Sequence, residues 1–239
     1  MICFLASNPF LPDDSALNPA NGFAYAWAAS LPKRPLRGLF VASSPDEPDT
    51  NDFYAARQRA AFEASGVAFG CFDILDRRNA ADAPALVPSA DVIVLTGGHV
   101  PTQNRFFHEI GLKGLLAGFD GVLIGISAGT MNAAATVYAQ PELEGEAVDP
   151  NYRRFLPGLG LTGAMIIPHF DGNLDVTLDG LRVYADITFP DSMGRRFYLI
   201  PDGSYLRVED GRETLCGEAW LVENGAIRPF CEAGKTARL

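Results

Sequence analysis

Ser127 sits in Gly125-Ile126-Ser127-Ala128-Gly129, after the apolar run Val122-Leu123-Ile124 and before Thr130-Met131-Asn132. A serine between glycines at a strand-to-helix junction matches a nucleophile elbow, whose small flanking residues allow a turn tight enough to hold a hydroxyl clear of the sheet edge. The chemistry this suits is attack on an acyl carbon. The next residues open a helix, so the Ala128 N–H lacks an intrahelical acceptor and can serve as half of an oxyanion hole. A serine hydroxyl is too weak an acid to attack unaided and needs a base, usually histidine, held by a third group. Of the 3 histidines, His169 is the best base, because it ends the apolar run Met165-Ile166-Ile167-Pro168. His108 falls inside a helical stretch and reads as a surface or core residue. His99 follows Gly97-Gly98, as either a substrate contact or a plain loop residue.

The orienting acid must come from another strand end. Asp202, in Pro201-Asp202-Gly203, follows an apolar run and suits that place, although Asp-Gly is also one of the commonest hairpin turns. Gly97-Gly98 closes a neighbouring strand, where glycine permits the close backbone approach that a second oxyanion donor requires. A plain glycine-rich connection remains the alternative for both the elbow and the double glycine.

The elements that must position these groups alternate. Residues 1–7, 36–43, 67–75, 91–96 and 121–126 read as apolar strands, and 23–31, 49–65 and 101–117 as helices between them. The fold class this implies is α/β, a doubly wound, mainly parallel sheet, with functional groups gathered at the carboxyl ends of the strands. Loops 8–22, 43–50 and 97–104 then share an edge with Ser127. From 197 onward, short runs separated by Asp202-Gly203, Asp210-Gly211 and Asn224-Gly225 read as a C-terminal antiparallel meander. Nothing marks a linker, so residues 1–239 are expected to form a single domain.

The 239 residues are 48% hydrophobic and carry a net charge of −10, with 19 Lys and Arg spread along the chain. That balance argues against nucleic-acid or anionic-membrane partners. The four cysteines, Cys3, Cys71, Cys216 and Cys231, have no metal-type or redox-type spacing and read as reduced thiols. With no leader or membrane span legible, the expected location is cytoplasmic, as a monomer or homodimer. No metal or cofactor is expected, since no HExxH run or short Cys/His cluster occurs.

Taken in order, Thr96-Gly97-Gly98, Gly125-Ile126-Ser127-Ala128-Gly129, Pro168-His169-Phe170 and Pro201-Asp202-Gly203 resemble the serine dipeptidases typified by dipeptidase E, or α-aspartyl dipeptidase, with cyanophycinase as a relative. The resemblance spans most of the chain. It implies a sheet like that of class I glutamine amidotransferases, a flavodoxin-like arrangement, with Ser127 as nucleophile, His169 as base, and Gly98 and Ala128 as the oxyanion hole. Asp202 falls where those dipeptidases usually carry glutamate. Their asparagine stands four residues after the serine, whereas Asn132 stands five after Ser127, about 100° further round a helix. The candidate substrate contacts are His99, Thr102, Asn132 and Arg105, with Arg153 and Arg154 as further cationic partners for an aspartyl N-terminus. The reading is a serine peptidase acting on short peptides. Its rivals are a non-catalytic ligand-binding module of the same fold, and an α/β-hydrolase esterase whose acid, Glu144 or Asp149, would precede the histidine.

Overall fold

The computed structural model describes all residues from Met1 to Leu239. Five strands pair in parallel, β1 (Ile2–Ala6), β2 (Leu36–Val41), β3 (Phe69–Leu75), β4 (Val92–Leu95) and β5 (Val122–Ile126), side by side as β1-β5-β4-β2-β3. Successive strand residues face opposite sides of the sheet, and both sides are apolar. Phe4, Ala6, Ile124 and Ile126 meet Phe23 and Trp27 of α1 (Phe23–Ala29) and Phe62 of α2 (Pro48–Ala64). Leu5, Leu95 and Leu123 on the other face meet Val87 of α3 (Ala83–Ser89), Phe106 of α4 (Val100–Glu109) and Leu116 of α5 (Leu112–Leu116). This is the doubly wound arrangement that the apolar runs imply.

Local chemistry sets the ends of these elements. Pro48 opens α2, where its missing N–H costs nothing, and Gly66 with φ 90° stops the chain just after it. The helix expected over 101–117 is broken in two, because Gly111 takes φ 64° and starts α5 in a new direction. α3 between β3 and β4 went unread, its short apolar stretch being interrupted by Pro84 and Pro88.

The C-terminal part corrects the expectation of one meander. The strands Tyr205–Glu209, Arg212–Cys216 and Thr236–Arg238 continue the main sheet antiparallel beyond β1. The strands Arg196–Leu199, Ala219–Glu223 and Ala226–Cys231 instead join Met165–Ile167 in a second, four-stranded sheet. Asp210-Gly211 and Asn224-Gly225 are genuine hairpin turns with positive φ, whereas Asp202-Gly203 carries the chain from one sheet to the other. Ile166, Tyr198 and Leu221 of the second sheet share one apolar cluster with Leu206 and Leu215 of the first. Alternating between sheets therefore still buries the apolar faces that the two sheets turn towards each other. β1 ends up between β5 and the strand Tyr205–Glu209. No helix is long and apolar enough to cross a membrane.

Candidate active site

The elbow forms because its glycines have no room for a side chain. A Cβ on Gly129 would lie 2.6 Å from the Leu95 carbonyl carbon, and one on Gly125 would lie 3.0 Å from Leu5 Cδ2 and from Thr130 Cα. Between them Ser127 takes φ 50° and ψ −111° before α6 (Ala128–Asn132) begins. Its N–H is shared by the carbonyls of Ala6 (3.1 Å) and Ser7 (3.0 Å), the Gly129 N–H reaches the Thr96 carbonyl at 3.1 Å, and the Thr130 hydroxyl donates to the Ala6 carbonyl at 2.7 Å. Ser127 is thus pinned to the ends of β1 and β4.

His169 Nε2 lies 2.8 Å from Ser127 Oγ, and His169 Nδ1 lies 2.8 Å from Asp202 Oδ1. His169 itself has φ 58°. Its N–H donates to Ser7 Oγ (2.8 Å) and the following N–H, of Phe170, donates to the Ile200 carbonyl (3.1 Å). Burial alone would raise the Asp202 pKa, but hydrogen bonds from His169, Ser7 and Asn8 outweigh it and hold the carboxyl below its ordinary value. The His169 and Asp202 side chains remain 49% and 52% exposed. The esterase alternatives take no part in this relay: Asp149 accepts from the Asn151 N–H, and Glu144 lies on the surface.

Gly98 and Ala128 both keep backbone N–H groups without a protein acceptor beside the elbow. Gly98 has φ 148°, and a Cβ there would lie 2.7 Å from Ser43 Cβ. The loop that carries it is braced from below by buried amides. Gln103 Nε2 donates to the Thr96 carbonyl (2.7 Å), while Asn132 Nδ2 donates to the Val100 carbonyl (3.2 Å) and to Gln103 Oε1 (3.0 Å). Asn132 is wholly buried, so its expected substrate contact is corrected to a support for this loop.

A cleft of about 400 Å³ opens beside Ser127 and His169. Its walls are Asn8 and Phe10 after β1, Ser43 and Ser44 after β2, the Thr96 to Gly98 loop, and Tyr54, Arg57 and Gln58 of α2. Arg57 binds Asp14 (3.1 Å) and the Asp13 carbonyl (2.9 Å), clasping the long 8–22 loop to α2. Gln58 Oε1 is buried without a partner.

None of the other proposed substrate contacts lines this cleft. His99 is held by Thr102 Oγ1 (2.8 Å) and Glu146 Oε1 (2.7 Å), which turns both side chains towards the 142–150 segment. Arg105 is exposed on α4, and Arg154 is taken up by Asp191 (2.5 and 3.1 Å). His108 bonds the Pro157 carbonyl at the surface. Sequence reasoning passed over Ser7, Tyr54, Arg57 and Gln58, and took in Asn8 only as the start of the 8–22 loop. Their only signal was position, at the carboxyl end of β1 and on the helix after β2. No group of three or more His, Cys, Asp and Glu side chains is arranged to hold a metal ion.

No curated protein matches the sequence. Among solved structures, a peptidase from an acI-B1 actinobacterium is similar with TM-score 0.69 and 16% identity, covering 100% of this chain and 96% of the other. A protein assigned to peptidase E from Listeria monocytogenes EGD-e is similar with TM-score 0.55 and 16% identity, over 100% of this chain and 98% of its own. At such identity the two speak for the fold, the mixed α/β architecture built on a mostly parallel sheet. Residues 39–216 match the model of peptidase family S51, and this chain, most of which that match spans, accordingly belongs to that family of serine peptidases.

Proposed function

We propose that residues 1–239 act as one serine dipeptidase domain, which hydrolyses short peptides with a free N-terminus through an acyl-enzyme on Ser127. The observation that carries this reading is the hydrogen-bonded series Ser127, His169, Asp202, with 2.8 Å at each step, at the mouth of a cleft of about 400 Å³. A space of that size takes a few residues of peptide, and membership of a serine peptidase family supplies the reaction class.

In this reading His169 takes the Ser127 proton as Oγ attacks the carbonyl carbon, and returns it to the leaving amine. Asp202 keeps Nδ1 protonated and faces the imidazolium as it forms. The unpaired N–H groups of Gly98 and Ala128 donate to the oxyanion, where they are worth more than in the ground state. Water then repeats the cycle on the acyl-enzyme. The substrate lies against Tyr54, Arg57 and Gln58 rather than against His99 and Thr102. A preference for an N-terminal aspartate would fall to Arg57, the arginine in the cleft, whose charge Asp14 already partly answers.

The test is hydrolysis of free and N-blocked dipeptides, varied at the first residue, by wild type and Ser127→Ala. Amino acids released from the free dipeptides by wild type only are the expected result, with the best first residue naming the specificity. Equal release by Ser127→Ala would overturn the reading, and no release from any peptide would leave the ligand-binding module in its place.

A further inference from the structure

We infer that Ser7 is a positioning residue that sets the geometry of all three triad members from one point. The inference rests on the triad proposed above. Ser7 is wholly buried at the carboxyl end of β1. Its hydroxyl donates to Asp202 Oδ1 at 2.6 Å and accepts from the His169 N–H at 2.8 Å, while its carbonyl accepts from the Ser127 N–H at 3.0 Å. Its own N–H donates to the Ser204 carbonyl at 3.2 Å, which ties the Asp202 turn to the same residue.

Topology makes this possible. β1 pairs with β5 on one side, Ala6 opposite Ile126, and with the strand Tyr205–Glu209 on the other, Ala6 opposite Tyr205. The next residue along β1 therefore stands between the nucleophile, one step beyond Ile126, and the acid, a few steps before Tyr205. A single hydroxyl has one proton to give and lone pairs to receive, and here both are engaged within the site.

Each contact answers a need that the triad leaves open. Asp202 is half exposed, and the Ser7 proton, beside the bonds from His169 and Asn8, helps keep its carboxylate from turning towards water. Ser7 and His169 Nδ1 both address the same oxygen, Oδ1, which fixes the carboxylate rotamer that faces the imidazole. His169 has φ 58°, a conformation that costs a residue bearing a side chain energy, and its N–H bond to Ser7 helps hold it there. Ser7 touches no substrate and carries no transferred proton; it acts through Asp202 and His169.

The test uses the rate of covalent labelling by a fluorophosphonate, separated into a maximal rate and a half-saturating concentration. Hydrogen bonds to a charged group set the expected effect. Ser7→Ala should lower the maximal rate about 10- to 100-fold, with half-saturation within about twofold of wild type and the thermal midpoint nearly kept. Ser7→Thr, which keeps the hydroxyl, should regain most of the rate, and the isosteric Ser7→Val should not. In an Asp202→Asn background, Ser7→Ala should cost clearly less than in wild type, because the bond to a charged carboxylate is gone and the bond from the His169 N–H is the main one left to lose.

If Ser7→Ala does not fold, Ser7→Gly, which also removes the hydroxyl, is read in its place, and a wild-type rate there overturns the inference. So does a wild-type rate in Ser7→Ala, or an undiminished cost in the Asp202→Asn background. Wild type that is not labelled at Ser127 removes the triad itself and the inference with it, whereas labelled wild type beside an unaffected Ser7→Ala removes the inference alone.

Discussion

At Ser127 the chain accepts φ 50° and ψ −111°, a conformation that costs on the order of 1–3 kcal/mol, and holds it with bonds from two neighbouring strands. The strain is local, and so is the information that encodes it: two glycines and a serine. Asp202 carries the residue-scale prediction. Asp202→Asn removes the charge facing the imidazolium and should slow turnover about 10³- to 10⁴-fold in a steady-state assay. It should also change acid stability. The wild-type carboxyl is held below its ordinary value, so it stabilises the fold above the unfolded carboxyl pKa of about 3.9 and loses that contribution as pH falls through the lower folded value. Melting curves should accordingly show a wild-type advantage at pH 7 that shrinks below about pH 4. Ser127, His169, Asp202 and the two glycine-dependent donors were legible because their types and order are unusual together. Ser7 was not, since one more serine at a strand end has no spacing to distinguish it. His99, Thr102 and Arg105 lie outside the cleft because nearness to Gly98 in sequence does not say on which side of the loop a side chain projects, and Asn132, singled out by its distance from Ser127, is buried beneath that loop instead.

Among the elements, the loop after β4 has the narrowest tolerance. Gly98 is confined both by φ 148° and by Ser43, while Gln103 and Asn132 hold the neighbouring carbonyls of Thr96 and Val100 from beneath. Gly98→Ala should push the loop off Ser43, misdirecting its N–H. Turnover should fall about 100-fold while far-UV circular dichroism stays unchanged. The parallel half of the main sheet was readable because a strand covered on both faces writes a continuous apolar run. The helix break at Gly111 and the division of the last strands between two sheets were not readable. A period-two pattern gives the buried face of a strand but not its partner, and an Asp-Gly pair marks a change of direction without saying whether the next strand returns beside the last.

For the molecule as a whole, the α1 and α2 side of the main sheet is closed by an aromatic cluster centred on Phe62, whose ring lies 4.8 Å from Trp27, 5.5 Å from Phe10 and 6.0 Å from Phe69. Phe62 is fully buried one turn from Gln58, so this packing also sets the far wall of the cleft. Phe62→Ala should cost about 3–5 kcal/mol in urea unfolding and raise the half-saturating peptide concentration before the catalytic rate changes. The central place of β1 has a further consequence in time. β1 is made before either of its neighbours, yet Ala6 lies opposite Ile126 on one side and Tyr205 on the other. Pairings of such long sequence separation are slow to form, because chain closure must precede the contacts that reward it. During synthesis on the ribosome, the nucleophile would emerge well before its acid. On the proposed triad, a nascent chain would stay incapable of cutting peptides until Asp202 and the strand Tyr205–Glu209 have left the exit tunnel.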